Sequence, residues 1–316
     1  MKNLPQFLLA LAAAACALPA AAALSVVATV PEWGALVEEL GGDKVKVYTA
    51  TNALQDPHHV EAKPSLIARA RSADLVAATG AELEVGWLPL VLRQAGNPKV
   101  QPGKPGYFEA TQYVTMQDKP ARLDRADGDV HPGGNPHIQT DPRNIARVAT
   151  ALAARLAELD PANAAHYQAR YKAFAERWTA AIAKWEKQAA PLRGTPILVQ
   201  HKAFTYLEGW LGLKEVAALE PKPGVEPTTA HLSEVLATLQ RQPVKMVIRA
   251  AYQGDRASQW IAERAKINAV MLPFTVGGTD AAKDLAAVMA HLSEEFTEEE
   301  ALSLSLIHIS EPTRPY

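Results

Sequence analysis

Short apolar runs rich in β-branched residues alternate along the chain with longer segments in which apolar residues recur every third or fourth position. The short runs are typical of buried strands, and the recurring pattern is typical of helices that bury one face. Pro31 opens the first predicted helix, and Gly41 and Gly42 close it. The alternation predicts a parallel sheet with helical crossovers. In the first half, the predicted strands are SVVATV, VKVYTA and DLVAATG, and the predicted helices are PEWGALVEELGG and SLIARARSA.

The same alternation returns after Gly194, which predicts a second parallel sheet. Between the halves lie two helical patterns, and the second, from Pro161 to Leu192, covers about 30 residues and would be about 45 Å long. We therefore predict an α/β fold in which two α/β lobes with parallel sheets are joined by a long rigid helix. The predicted strands of the second half are PILVQH, KEVAAL, VKMVIRA and AVMLPF.

Residues 97–140 are rich in Pro, Gly and Asp, and the pattern predicts little regular structure there apart from a short strand near YVTM. A loop of this length in a compact protein is usually functional or mobile. We expect a mobile loop at about 115–135.

Both ends of the chain differ in composition from the two lobes. Lys2 precedes an apolar run and a stretch of alanines that ends near Ala23, which is the pattern of a secretory signal and predicts export to the periplasm. The last residues look like a translated cloning extension. The predicted organisation is a signal peptide at 1–23, an N-terminal lobe at 24–142, helices including the linking helix at 143–193, a C-terminal lobe at 194–300 and a non-native tail at 301–316.

Composition narrows the classes of partner and of site. The formal net charge of −2 gives no reason to expect nucleic acid or an anionic membrane surface as a partner. Cys16 is the only cysteine and lies inside the predicted signal. It could accept a lipid, but Ala13 stands where an aliphatic residue is usual, so we favour a soluble exported protein over a lipoprotein. The mature chain then has no thiol, and any metal site must use His, Asp or Glu.

Three of the nine histidines share a placement: each follows a predicted strand or loop and precedes a helix. They are His58, His137 and His201. Ligands of α/β sheets bind outside the carboxyl ends of the strands, so three histidines at such positions predict a common site. His59 is adjacent to His58, and the sequence does not decide between them. His131 lies in the acidic loop, where it is either a solvated residue or part of a metal-gathering arm.

Asp280 is the candidate fourth ligand, because it follows the last predicted strand and precedes a helix; it could equally be a helix cap. Three neutral imidazoles and one carboxylate suit tetrahedral Zn²⁺, whereas manganese prefers more oxygen donors. Ligands from both halves would place the metal in the cleft between the lobes. Glu84 and Asp141 are candidates for orienting the imidazoles from behind. Hydrolase and nucleotide-binding motifs are absent from the sequence.

Four stretches resemble the metal motifs of the periplasmic zinc- and manganese-binding proteins of ABC importers, the cluster A-I solute-binding family. The resemblance extends from Leu24 to about Leu292. It implies that His58, His137, His201 and Asp280 are the four ligands, and a histidine at the third position, where manganese members tend to carry Glu, favours zinc. The four stretches are DPHHVEAKPSLIARARSADLVAATG, GNPHIQTDPRN, VQHKAFTYLEGWLGL and LPFTVGGTDAAKDL.

The resemblance implies a monomeric, non-enzymatic protein that captures Zn²⁺ with high affinity in the periplasm and delivers it to the permease of an ABC importer in the inner membrane. A periplasmic zinc chaperone is a further partner to consider. Two alternatives stay open at this point: a Mn²⁺ or Fe²⁺ solute-binding protein of the same family, and a zinc-dependent hydrolase with Asp280 as the base. A metal-dependent adhesin is a third, but appended repeats or a wall anchor would be expected for it.

Overall fold

The structure is a computed structural model that describes residues 22–121 and 128–293. Most of the predicted signal peptide, including Cys16, lies outside these residues. The predicted tail at 301–316 lies outside them as well, and so do residues 122–127 of the predicted loop and residues 294–300 of the predicted C-terminal lobe.

The first sheet has four strands in the order β2-β1-β3-β4, and all neighbouring strands are parallel. Helices connect successive strands, as the alternation of sequence patterns predicts. The strands are β1 (Leu24–Ala28), β2 (Val45–Thr49), β3 (Leu75–Ala78) and β4 (Tyr107–Glu109), and the helices are α1 (Pro31–Gly41), α2 (Pro64–Ser72) and α3 (Leu88–Ala95).

The prediction of a strand near YVTM is wrong. Strand β4 lies earlier, at Tyr107–Glu109, and a 3-10 helix at Ala110–Tyr113 follows it. Gly106 explains the position of β4, because its carbonyl accepts a hydrogen bond from the Val76 amide of β3 at 2.8 Å. A β-carbon at Gly106 would lie 2.6 Å from the carbonyl oxygens of Asp74 and Lys99, so only glycine allows this close approach. The pairing that sets β4 is therefore long-range and does not appear in the local pattern.

The second sheet repeats the arrangement in the order β6-β5-β7-β8, again with parallel neighbours only. Each sheet thus places its first strand in the interior, with the second strand at one edge. The strands are β5 (Pro196–Val199), β6 (Lys214–Ala218), β7 (Met246–Ala250) and β8 (Asn268–Leu272), and the helices are α6 (Thr205–Leu211), α7 (Thr229–Leu239), α8 (Arg256–Ala265) and α9 (285–293).

Two antiparallel helices link the sheets: α4 (Pro142–Leu159) and α5 (Ala164–Gln188). Helix α5 has 25 residues, which corresponds to about 38 Å. It contacts both lobes: Arg170 donates to the carbonyl of Glu39 in α1 at 2.7 Å, and the ring of Trp185 lies 6.4 Å from that of Trp210 in α6. The predicted linking helix and the two-lobed α/β fold are confirmed.

One apolar core extends through both lobes. Val26 of the first sheet and Ile248 of the second belong to the same buried cluster, together with Ile145 of α4 and Trp178 of α5. The two sheets are therefore packed against a shared helical layer. Within residues 22–121 and 128–293, no helix is both long enough and apolar enough to cross a membrane.

Candidate metal centre

Three histidines from distant parts of the chain meet between the two sheets. Their candidate ligand atoms all lie within 4.8 Å of one another, and all three residues are buried. His58 lies on the loop after β2, His137 lies just before α4, and His201 lies two residues after the end of β5. In the described part of the chain, this is the one group of three or more His, Cys, Asp or Glu side chains close enough to share a metal ion.

The sheet positions His201. Strand β5 lies between β6 and β7, and the amide of Gln200 continues the ladder by donating to the carbonyl of Ile248 at 2.8 Å. His201 therefore leaves the carboxyl end of an interior strand, which is where a parallel sheet exposes its ligands.

Asn135 positions His137 at the boundary between the lobes. Its side-chain oxygen accepts the amide of His137 at 3.0 Å, and its Nδ2 donates to the carbonyl of Lys202 in the C-terminal lobe at 2.7 Å. The Tyr206 hydroxyl donates to the Asn135 carbonyl at 2.8 Å. The proline-flanked segment before α4 is thus tied to the opposite lobe, which holds the His137 ring in the cleft.

Two carboxylates contact the imidazoles from behind. Asp56 Oδ1 lies 2.8 Å from His58 Nδ1, and Glu220 Oε2 lies 2.7 Å from His201 Nδ1. An ionised carboxylate can only accept a hydrogen bond, so each contact favours the tautomer with the proton on Nδ1, which leaves the Nε2 lone pair available to a metal. Burial acts to raise the pKa of Asp56, but the hydrogen bonds from His58 outweigh it and hold that pKa below its ordinary value.

Glu84 and Asp141, which were expected to orient the imidazoles, form hydrogen bonds with other groups. Glu84 accepts hydrogen bonds from the Thr29 hydroxyl and from the amides of Thr79 and Gly80, at 2.7, 2.8 and 3.1 Å. It thereby joins the ends of β1 and β3.

Asp141 instead accepts the Arg143 amide at 2.8 Å, which caps α4, and pairs with the Arg143 guanidinium. The prediction for Glu84 and Asp141 is wrong because nearness in sequence to a ligand does not determine where a side chain points. Asp56 could have been found, since it lies two residues before His58 in DPHH. Glu220 could not, because only the β5–β6 register brings it to His201.

Burial favours the neutral form of the His137 imidazole. It lowers the pKa of His137 well below the ordinary value, and the neighbouring His58 and His201 lower it further. A neutral imidazole is the form that binds a metal, so this site needs little proton release from His137 at neutral pH.

His131 lies closer to the site than the sequence indicates. Its Nε2 is 3.3 Å from Nε2 of His58, and burial lowers its pKa to about 4, with a further contribution from His58. A cavity of about 250 Å³ is lined by His131, His137 and His201. His59 is exposed, so the structure brings His58 rather than His59 into the group.

Asp280 is not brought together with the three histidines. It is exposed on the segment between β8 and α9, outside the group of ligand atoms. It is not the helix cap either: Asp284 Oδ1 accepts the Ala287 amide at 2.8 Å and caps α9.

Comparison with known protein families agrees with a metal site. Residues 26–299 match the sequence model of the zinc-uptake complex component A family, periplasmic (ZnuA). The chain belongs to this family. The predicted relationship to metal-binding solute-binding proteins is therefore confirmed, and the three-imidazole group lies in a chain of a zinc-binding family.

Individual relatives carry the names of more than one metal. The metal ABC transporter substrate-binding lipoprotein ScbA of Streptococcus cristatus is 24% identical over 246 residues, which are 77% of each chain. The high-affinity zinc uptake system protein ZnuA of Brucella abortus is 29% identical over 99 residues, 31% of this chain and 30% of that protein. The manganese ABC transporter substrate-binding lipoprotein ScaA of Streptococcus gordonii is 28% identical over 157 residues, 50% of this chain and 48% of that protein.

A solved structure of a ZnuA deletion mutant lacking residues 138–173, with zinc bound, superimposes with a TM-score of 0.70. It is 25% identical, and the match covers 86% of this chain and 97% of that one. The chain is thus a metal-binding, substrate-binding component of an ABC transporter, and a role in transport, not catalysis, follows from the family.

Proposed function

We propose that this protein captures Zn²⁺ with high affinity in the periplasm and delivers it to the permease of an ABC importer. The observation that supports this most strongly is the group of three buried imidazoles whose ligand atoms lie within 4.8 Å of one another. Nitrogen donors at this spacing suit zinc better than manganese, which prefers oxygen donors and a higher coordination number. Because some relatives are named for manganese, the identity of the bound metal has to be tested.

Asp280 as the fourth ligand remains a prediction. It requires the segment between β8 and α9 to bring an exposed carboxylate into the cleft on metal binding. Phe274, at the start of that segment, packs against His137 with ring centroids 5.4 Å apart, and Gly277 adopts a positive φ of 86°. His131 is the competing donor, because its ring already contacts His58.

Transport is favoured over zinc-dependent hydrolysis. A hydrolase of the kind considered needs water on the metal and Asp280 within reach as its base. Asp280 lies outside the group, and the family is one of uptake components.

Delivery requires a surface that meets the permease. The large hydrophobic side chains that are exposed in the described residues are Leu54, Val85 and Val225. They follow β2, β3 and β6, so they lie on loops at the carboxyl edges of both sheets, the same edges that carry the metal site. We propose that these loops contact the permease. A monomer, a chaperone that loads the site and the absence of a lipid at Cys16 remain expectations.

Competition for metal tests the proposal. The metal-stripped mature protein is offered Zn²⁺ and Mn²⁺ together, and we expect one zinc per chain with zinc strongly preferred. Because zinc sites in proteins supply on the order of 10 kcal/mol or more, losing one imidazole of the group in His201→Ala should weaken zinc binding by about 100-fold or more. His291→Ala, on α9, is the matched control and should bind as the parent does.

Parallel measurements on Asp280→Ala and His131→Ala identify the fourth donor by which of them weakens zinc binding. A preference for manganese would assign the protein to the manganese branch. Zinc binding that is indifferent to both substitutions would favour a site with an open position, as in hydrolases.

A further inference from the structure

Glu220 lies directly behind His201, and both side chains are largely buried. The exposed fractions of the side chains are 7% for His201 and 14% for Glu220. Oε2 of Glu220 accepts two hydrogen bonds, from His201 Nδ1 at 2.7 Å and from the Gly224 amide at 2.8 Å. One oxygen of the carboxylate thus joins the metal-binding imidazole to the loop that carries Glu220.

The backbone holds the two residues at a fixed spacing. Strands β5 and β6 end with the pair Val199 and Ala218, but the ladder continues beyond them. The Leu219 amide donates to the Val199 carbonyl at 2.8 Å, and the Glu220 amide donates to the Gln200 carbonyl at 3.0 Å. Glu220 is therefore beside His201 because of sheet register, not because of a flexible loop.

We propose that Glu220 is a positioning residue that holds His201 with its proton on Nδ1 and Nε2 directed to the metal. This deepens the proposed function and depends on it. A buried carboxylate behind a metal-binding histidine fixes its tautomer and ring orientation and makes the imidazole a stronger donor. Glu220 touches the ligand and not the metal, so its effect on affinity passes through His201.

Within the described residues, neither of the other two site histidines has a carboxylate partner that is both buried and placed by a neighbouring strand. Asp56 is two residues from His58 on the same loop, its side chain is 39% exposed, and it also accepts the His58 amide at 2.9 Å. For the ring of His137, no hydrogen bond occurs within the described residues. Glu220 is the partner that combines burial with placement by a neighbouring strand, and we expect His201 to be the imidazole most dependent on its support.

Substitutions at Glu220 with a matched control test the inference. Zinc affinity is measured by competition with a chromophoric chelator. Glu220→Ala removes both the hydrogen bond and the charge and should weaken zinc binding by about 10- to 100-fold. Glu220→Gln is nearly isosteric and its side-chain oxygen can still accept a hydrogen bond from Nδ1, so it should weaken zinc binding less. Glu215→Gln changes a partly buried glutamate of β6 that pairs with Lys202 at 3.3 Å, and should leave affinity unchanged.

The tautomer of His201 provides a readout that a purely structural role would not change. Nitrogen chemical shifts of the metal-free protein should report the Nδ1–H form of His201 in the parent and in Glu215→Gln. In Glu220→Ala the Nε2–H form should become populated. If Glu220→Ala fails to fold, Glu220→Leu, which removes the acceptor but fills the space, replaces it in both measurements.

Parental affinity together with an unchanged tautomer in the variant that lacks the acceptor would overturn the inference. Failure of the parent protein to bind zinc would instead overturn the proposed function, and the tautomer measurement alone would then decide whether Glu220 orients His201. The two failures are therefore distinguishable.

Discussion

At the scale of single residues, the protonation of His131 links the site to stability. Burial lowers its pKa to about 4, and the nearby His58 lowers it further, whereas an unfolded histidine has a pKa of about 6.5. Between these values the unfolded chain binds more protons than the folded one. The contribution of His131 to stability is therefore complete above about pH 6.5 and is lost as the pH falls towards 4.

We predict that the metal-free protein loses unfolding free energy between pH 6.5 and pH 4 and that His131→Gln reduces this loss. Urea denaturation at several pH values measures the slope. His291→Gln, far from the three histidines in sequence and on α9, is the control and should keep the parental slope. Equal slopes in the parent and in His131→Gln would show that protonation of His131 does not contribute to the pH dependence of stability.

The sequence predicts the three site histidines because each follows a strand or precedes a helix at the ligand-binding edge of a sheet. His58, His137 and His201 could be selected on that basis without knowing the fold in detail. The residues that contact these histidines could not be predicted in this way. The position of Glu220 depends on the register of β5 and β6, and that of His131 depends on the path of a loop. Asp280 stays a prediction at this scale, because its exposed position does not decide what happens when metal binds.

At the scale of secondary-structure elements, helix α5 holds the lobes together through a row of aromatic side chains. Trp178 is buried, stacks on Phe174 with ring centroids 5.1 Å apart, and packs edge-on against Trp185 at 5.4 Å. Its Nε1 donates to the Pro142 carbonyl at the start of α4 at 2.8 Å. The residue therefore joins the two linking helices to the shared core.

We predict that Trp178→Ala lowers the unfolding free energy by about 3–5 kcal/mol, the usual range for removing a buried tryptophan. Chemical denaturation measures the change. The control is Trp260→Ala on α8, where the ring is only partly buried and lies under the Arg264 guanidinium; its loss should be smaller. A Trp178 substitution no more costly than the Trp260 one would refute this role.

Most helices and strands could be predicted from their periodicity, since the apolar runs of a parallel sheet differ clearly from the amphipathic helices between them. The strand near YVTM is the exception. A 3-10 helix ends at Tyr113, the rest of YVTM has no regular structure, and β4 lies a few residues earlier, where Gly106 permits close contact with neighbouring carbonyl groups. Such a tertiary approach leaves no trace in the local pattern.

At the scale of the whole molecule, the shared core and the 25-residue helix α5 resist a large opening of the cleft. Two sheets that pack on the same helices cannot separate without exposing apolar surface. We therefore expect metal release to depend on loop movement or on slight rocking of the lobes at the permease.

We predict that small-angle X-ray scattering gives nearly the same profile with and without zinc, with a radius of gyration of roughly 19 Å in both states. A chelator-treated sample and a zinc-saturated sample of the same preparation provide the comparison. A large increase in the radius on removal of zinc would show a hinge opening and would contradict the rigid link.

A crystal structure of the zinc-loaded protein, with anomalous data at the zinc edge, tests the assignment of His58, His137 and His201 as zinc ligands between the lobes. This assignment predicts a single strong anomalous peak about 2.0–2.1 Å from a nitrogen of each of the three imidazoles, with Nε2 as the donor in His58 and His201. A peak elsewhere, or one that lacks any of these three histidines, would contradict it.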